Sequence, residues 1–379
     1  MPPGSPARAE TGARLRILIT TDLAGGVWSY TEELCDALAA RGHEVSLVAF
    51  GGEPGAIHRE WLAERPELDF TSLPYPLEWM PEPEPGLSAS VDALGEVATR
   101  LAPDVIHLNQ FYYGAFDLGA PKLVVAHSDV VSWWRAVKGE EPPDDPWFRR
   151  YRGWAEDGLR GAELRTAPSR WMAAQTEAIY DAKTVRVVHN ARAPARFLAA
   201  SEEEREPLVV TAGRLWDEAK GVWDLAEAAG RLEGRGRVMV AGPARHPVGG
   251  EDFPADAPGV EWVGVLPTAE LRLLLSRAAI YAATSRYEPF GLAPLEAAFS
   301  GCALVMSDLP TFRELWEECA LFYPPGDAAA LAAALGELLD DPPRRRSLAA
   351  AARARALERF TPGRMATEYE ALYREAITP

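Results

Sequence analysis

At 379 residues the chain exceeds one ordinary hydrophobic core and fits two domains of about 150 to 200 residues each. Its formal charge of −17, from 56 acidic against 39 basic residues, speaks against nucleic acid or an anionic membrane as a partner for the whole surface, while leaving a local peripheral membrane contact open. No run approaches the roughly 18 apolar residues of a membrane span, and Cys35, Cys302 and Cys319 lack the spacing of a disulfide framework or a zinc site, so a reducing, cytoplasmic setting is expected.

The N-terminal MPPGSPARAETGAR lacks an apolar core, so residues 1–14 are expected to be a disordered leader and not a signal peptide. Leu15 to Thr20 reads as a buried strand that runs through Thr21-Asp22-Leu23-Ala24-Gly25-Gly26-Val27 into a helix from about Ser29 to Arg41. The glycine pair sets backbone amides at a helix start, suited to an anion or a sugar, or else to a tight turn. It is not G-x-G-x-x-G, so the dinucleotide fingerprint is absent. A strand at Val45 to Phe50, a proline-rich loop at Pro74 to Pro85, a helix near Val91 to Leu101 and a strand at Val105 to Leu108 follow. Strand and helix alternate, which makes the first half a doubly wound α/β domain with ligands at the carboxyl ends of its strands. His107 and Asn109 stand at one such end, and His127 at the next, after Leu123 to Ala126. Residues 132–158 hold four tryptophans, which suit a sugar-stacking acceptor wall or the aromatic packing of an irregular insertion. A strand at Leu164 to Ser169, a helix at Trp171 to Tyr180 and a strand at Val185 to Val188 complete a first domain set at 15–198. Pro194 and the acidic residues 201–206 mark the linker.

The second domain, 199–362, opens with a strand at Leu208 to Ala212, then Gly213-Arg214-Leu215, then Lys220-Gly221 at a helix start. Arg214 and Lys220 both flank glycines at this strand end and are placed to converge on an anion. Strands recur at Val238 to Ala241, Val260 to Val263 and Ile280 to Ala283, and Gly242-Pro243 and Gly264-Val265-Leu266 close two of them. The densest signal is Ser285 to Leu315. Glu288, Pro289, Phe290 and Gly291 form a turn; a helix follows with Pro294 in its first turn and Gly301 at its end, and then a strand at Ala303 to Ser307. The amides of Phe290, Gly291 and Leu292 then sit at a helix N-terminus, where unpaired N–H groups and the dipole favour an anion. Glu288 and Glu296 flank them, suited to accept bonds from sugar or ribose hydroxyls. Glu296 is expected in the first helical turn, where complementing the dipole is its alternative role.

Glu288 and Glu296, eight apart around EPFGLAPLE, resemble the E-x7-E signature of retaining glycosyltransferases of family 4 with the GT-B fold. The GRL…KG segment at Gly213 to Gly221, the Gly25-Gly26 loop and the order of elements extend the likeness over nearly the whole chain. The resemblance implies two Rossmann-like doubly wound α/β domains facing a cleft, with residues 363–379 crossing back as a helix onto the first. It implies a UDP- or GDP-linked hexose as donor and a hydroxyl acceptor, whether saccharide, lipid-linked or small molecule. Among the catalytic candidates, Arg214 and Lys220 would hold the diphosphate, Glu288 the sugar hydroxyls and His127 the sugar near C6. Glu296 would take the ribose, and Gly25, Gly26, Gly213, Gly264, Phe290, Gly291 and Leu292 would approach the donor through main chain. The sequence has no Asp-x-Asp, and its first loop carries Asp22, Ala24 and glycines where inverting GT-B enzymes commonly place a histidine base. Transfer is therefore expected to run without metal or cofactor and with retention. A nucleotide-sugar epimerase, a GT-B phosphorylase or a non-catalytic nucleotide-sugar-binding subunit remain the alternatives.

Overall fold

The computed structural model describes residues 13–23, 25–199, 205–245, 253 and 257–378. The expected leader lies outside them up to residue 12, as do residues 201–204 of the acidic stretch read as a linker.

The first sheet contains β1 (Arg16–Asp22), β2 (Glu44–Phe50), β3 (Asp69–Ser72), β4 (Val105–Leu108), β5 (Lys122–Val125), β6 (Leu164–Ala167) and β7 (Arg186–Val187). Its helices are α1 (Gly26–Ala40), α2 (Ala56–Ala63), α3 (Gly86–Leu101), α4 (Val130–Lys138), α5 (Pro146–Gly161) and α6 (Arg170–Tyr180). The second sheet contains β8 (Glu206–Ala212), β9 (Arg237–Ala241), β10 (Glu261–Trp262), β11 (Ala278–Ala283), β12 (Ala303–Ser307) and β13 (Ala320–Tyr323). Around it lie α7 (Val222–Ala229), α8 (Thr268–Arg277), α9 (Leu292–Phe299), α10 (Pro310–Trp316), α11 (Ala328–Asp340) and α12 (Pro342–Arg359), and α13 (Pro362–Ile377) ends the chain.

Every strand pairing is parallel. Such sheets need helices on both faces, and the central strands accordingly read as unbroken apolar runs: all six residues of β11 and all five of β12 are buried. The orders are β3-β2-β1-β4-β5-β6-β7 and β10-β9-β8-β11-β12-β13. The winding therefore reverses between β1 and β4 in one sheet and between β8 and β11 in the other. A doubly wound sheet opens its ligand crevice at that reversal, at the carboxyl ends. The loops leaving β1, β8 and β11 are the Gly25-Gly26, Gly213–Lys220 and Ser285–Gly291 segments.

Four clusters of buried side chains line the four sheet faces. On one face of the first sheet, Met365, Ala366, Tyr369, Leu372 and Tyr373 of α13 join Trp28, Leu34 and Leu38 of α1 in a common core. The C-terminal helix thus crosses back to the first domain, while α12 packs its Ala352 and Ala356 into a core of the second.

Local structure departs from the sequence expectation at several places. The tryptophan-rich 132–158 segment is a helical hairpin and not an irregular insertion. Asp129 caps α4 by accepting from Val131 N and Ser132 N, and Asp145 caps α5 by accepting from Trp147 N and Phe148 N, with Pro146 at its first turn. The half-exposed edge strand β3 carries little apolar alternation, and α2, eight residues long with only Trp61 buried, is too short to stand out in the sequence. Helix α1 starts at Gly26, directly after the glycine turn. Glu296 falls in the second turn of α9 and not the first, because the helix begins at Leu292.

Candidate active site

The loop leaving β8 is clipped to the end of β11. Thr284 Oγ1 donates to Lys220 O at 2.8 Å and Arg286 N donates to Ala219 O at 2.7 Å. Gly221 has φ +57°, and a Cβ there would stand 2.2 Å from Thr284 O, so only glycine permits this approach. The result brings together two side chains 68 residues apart: Lys220 Nζ lies 2.6 Å from Glu288 Oε2. Ser285 Oγ donates to the same oxygen at 3.3 Å. Lys220, Glu288, Gly213, Thr211, Ser285, Ala293 and Pro294 share the wall of a small cavity beside the start of α9. Gly291 is the N-cap of that helix with φ +93°, which leaves the Phe290-Gly291-Leu292 amides at its N-terminus. One pocket wall thus holds a cation and a carboxylate beside the start of a helix.

Arg214 is held in a forked contact with Asp217, its Nε and Nη2 at 3.1 and 2.7 Å from Oδ2, and its Nη1 would sit 3.4 Å from a Cβ on Gly25. A Cβ on Gly26 would meet Leu292 Cδ1 at 3.7 Å. The Gly25-Gly26 loop therefore faces Arg214 and the start of α9 across the cleft. Gly264, at the end of β10, has φ +75° and open space around it.

His127 stands at the end of β5. Asn109 Nδ2 donates to Thr20 O at 2.6 Å, which turns its Oδ1 toward His127 Nε2 at 2.8 Å. The imidazole therefore donates from Nε2 and keeps its lone pair on Nδ1. Although part of the ring edge is exposed, the surrounding protein desolvates it, and burial pushes its pKa down to about 3, so it is neutral at physiological pH. His107 is fully enclosed between Tyr30 Oη at 3.1 Å and Tyr373 Oη at 2.8 Å, which makes it part of the α1–α13 core. Glu296 Oε1 lies 2.8 Å from Arg192 Nε.

Sequence reasoning missed several groups here. Tyr287 plants its hydroxyl in the first domain, accepting from Asp129 N at 3.2 Å and lying 2.9 Å from Ser132 Oγ. Glu314 crosses the same junction to accept from Arg170 N at 2.8 Å and Trp171 N at 3.1 Å, capping α6 from the other domain. Glu78, 4 % exposed in the proline-rich loop, accepts from Phe111 N at 2.9 Å, and burial pushes its carboxyl up to about 7. Its Oε2 and both amide atoms of Gln110 are buried without a hydrogen-bond partner among the described residues. No local signal marks Glu78; the Asp-Pro pair at Asp145-Pro146 could have revealed α5. The four tryptophans of the hairpin are half-buried and engage other rings, with Trp134 against Phe148 at 5.3 Å, Trp147 against Tyr151 at 5.7 Å and Trp154 against Tyr112 at 5.6 Å.

Residues 24–196 match the profile described as Glycosyltransferase Family 4, and residues 206–341 that described as Glycosyl transferases group 1. The chain belongs to the family 4, group 1 glycosyltransferases. This glycosyltransferase is 27% identical over 348 residues to alpha-maltose-1-phosphate synthase of Mycolicibacterium smegmatis, covering 78% of this chain and 87% of that one. It is 27% identical to the MMP alpha-(1->4)-mannosyltransferase of Mycolicibacterium hassiacum, over 93% and 95% of the two chains. The fold matches sucrose-phosphate synthase from Thermosynechococcus elongatus with TM-score 0.78 at 22% identity, covering 96% and 99% of the chains. It matches HepE of Anabaena, solved with UDP and glucose, with TM-score 0.74 at 17% identity over 96% and 100%. The glycosyltransferase therefore has the GT-B architecture, and among its described residues no helix is long and apolar enough to cross a membrane.

Proposed function

We propose that this glycosyltransferase moves a hexose from a nucleoside-diphosphate sugar, UDP- or GDP-linked, to an acceptor hydroxyl, with retention and without a metal. The observation that carries this reading is the 2.6 Å pair of Lys220 and Glu288 beside the N-terminus of α9. Without donor, each neutralises the other. A bound diphosphate takes Lys220, Arg214 and the helix-start amides, which frees Glu288 to accept from the sugar hydroxyls.

The reaction breaks the bond from C1 to the phosphate oxygen and forms one from C1 to the acceptor oxygen on the same face. The acceptor proton passes to the departing phosphate oxygen. The leaving group gathers negative charge in the transition state, and pre-aimed N–H and cationic donors stabilise charge that grows there. His127, neutral and with Nδ1 as an acceptor, suits a sugar hydroxyl and not the diphosphate. Two relatives carry names for α-linked products, which supports a hexosyl donor and retention.

Nucleoside diphosphate release from UDP-glucose and GDP-mannose, with proton NMR of the product, tests the reading. Expected are an α-configured product, turnover unaffected by chelator, and a Lys220→Met variant that stays folded and binds the nucleoside diphosphate at least about tenfold more weakly, the scale of one lost charge-assisted hydrogen bond. Unchanged affinity in Lys220→Met removes the diphosphate assignment.

A further inference from the structure

The chain passes from the first domain to the second through the segment after β7 and returns just before α13. Arg192 sits where the two crossings touch, its backbone N donating to Phe360 O at 3.2 Å. Its guanidinium is 6 % exposed and reaches into both domains. Nε lies 2.8 Å from Glu296 Oε1 on α9 of the second domain, and Nη1 lies 3.2 Å from Glu33 Oε1 on α1 of the first. The coulombic pull of Glu296 and Glu33 raises the Arg192 pKa against the opposing effect of burial, so its charge persists in this interior.

The Glu296 carboxylate is partly buried; Arg192 is in contact with it, and Arg272 adds a second positive field nearby. Glu296 has one oxygen committed to Arg192, and its Oε2 has no protein partner among the described residues. The 2.8 Å contact and the attraction between the two opposite charges hold Glu296 Oε1 against Arg192.

We infer that Arg192 is a positioning residue for the donor: it holds Glu296 so that Oε2 faces the ribose hydroxyls, and it ties that grip to α1 through Glu33. Arg192 touches no substrate. The inference rests on the reading that Glu296 receives the ribose. It predicts that Arg192 matters only for a nucleotide that has ribose hydroxyls to offer.

Titration calorimetry on the full chain with UDP and GDP, and with their 2′,3′-dideoxy counterparts, gives the ratio of dissociation constants that the two hydroxyls contribute. The unsubstituted chain is expected to prefer the ribonucleotide at least about tenfold. Arg192→Met should bring that ratio close to one while changing dideoxynucleotide affinity by less than about twofold, and Arg192→Lys, which keeps a cation, should recover part of the ratio. In a Glu296→Gln background, Arg192→Met should change the ratio no further. Arg192→Met leaves buried Glu33 with Arg196, 3.5 Å away, as its remaining cation, so the Arg192→Met/Glu33→Gln pair, with its thermal midpoint measured, carries the same test if the single variant misfolds. An equal loss for both kinds of nucleotide, leaving the ratio intact, overturns the positioning role and leaves the ribose assignment standing. A ratio of one in the unsubstituted chain, or one that Glu296→Gln does not alter, overturns the ribose assignment itself.

Discussion

Glu78 is the residue whose environment most directly sets a measurable behaviour. Burial lifts its carboxyl from the ordinary 4.5 to about 7, so between those values the folded chain keeps a proton that the unfolded chain has released. Stability therefore falls as pH rises through that window, and the full penalty stands above it. The shift corresponds to roughly 3 kcal/mol at most, at 1.36 kcal/mol per unit. Glu78→Gln keeps an oxygen for the Phe111 amide and removes the titration, so its thermal midpoint should match that of the unsubstituted chain near pH 4.5 and exceed it at pH 8. Equal midpoints at both values would mean that the carboxyl is solvated in solution. Arg192 and Glu296 show the same physics from the other side, since there a buried charge is retained because its opposite is in contact.

Helix α6 illustrates how elements from different domains complete one another. Ser169 Oγ satisfies Met172 N, but the first two amides, of Arg170 and Trp171, are satisfied by Glu314 of α10. The helix start is thus fully capped only while the domains are together. Glu314→Ala should cost about 1 kcal/mol, the usual value of a lost cap, and should shift the population toward an open cleft. Small-angle scattering without nucleotide is expected to show a larger radius of gyration for the variant; an identical profile would make the Tyr287 contact sufficient by itself. The α4–α5 hairpin obeys a stricter rule, since a Cβ at Gly158 would lie 1.8 Å from Phe111 O, so the helix can pack there only through glycine.

For the molecule as a whole, the decisive connection is the return of α13. It delivers five buried side chains to the first core, and Tyr373 also bonds His107 at the centre of the sheet. Burying each side chain contributes about 1.5 to 3 kcal/mol, which together is on the order of 10 kcal/mol and comparable with the stability of a whole domain. A chain ending at Phe360 should therefore lose the folded first domain and keep the second, seen as one surviving transition by calorimetry; two transitions would show the first sheet to be self-sufficient. The same crossing places Arg192 and Phe360 side by side, so the hinge and the donor-side carboxylate are mechanically one region.

What the chain reveals by itself is whatever depends on periodicity and on backbone special cases. Apolar runs such as Ala278–Ala283 mark buried parallel strands, and alternating helices then require two doubly wound sheets; glycines at 25, 213, 221 and 291 mark the places where backbone must turn sharply at a strand end. These signals are local, so fold class and the loops that flank the cleft are legible from sequence. The edge strand β3 is not, because a four-residue, half-exposed strand carries little alternation; α4 and α5 are amphipathic, and their legible signals are the caps at Asp129 and Asp145-Pro146. Tertiary structure alone decides which distant charges meet. Lys220 meets Glu288 because β8 and β11 are neighbours in one sheet, whereas Glu296 against Arg192 and Glu314 against α6 are fixed by how the two sheets are docked. Coulomb and hydrogen-bond partners are set by distance in space, on which sequence separation places almost no constraint.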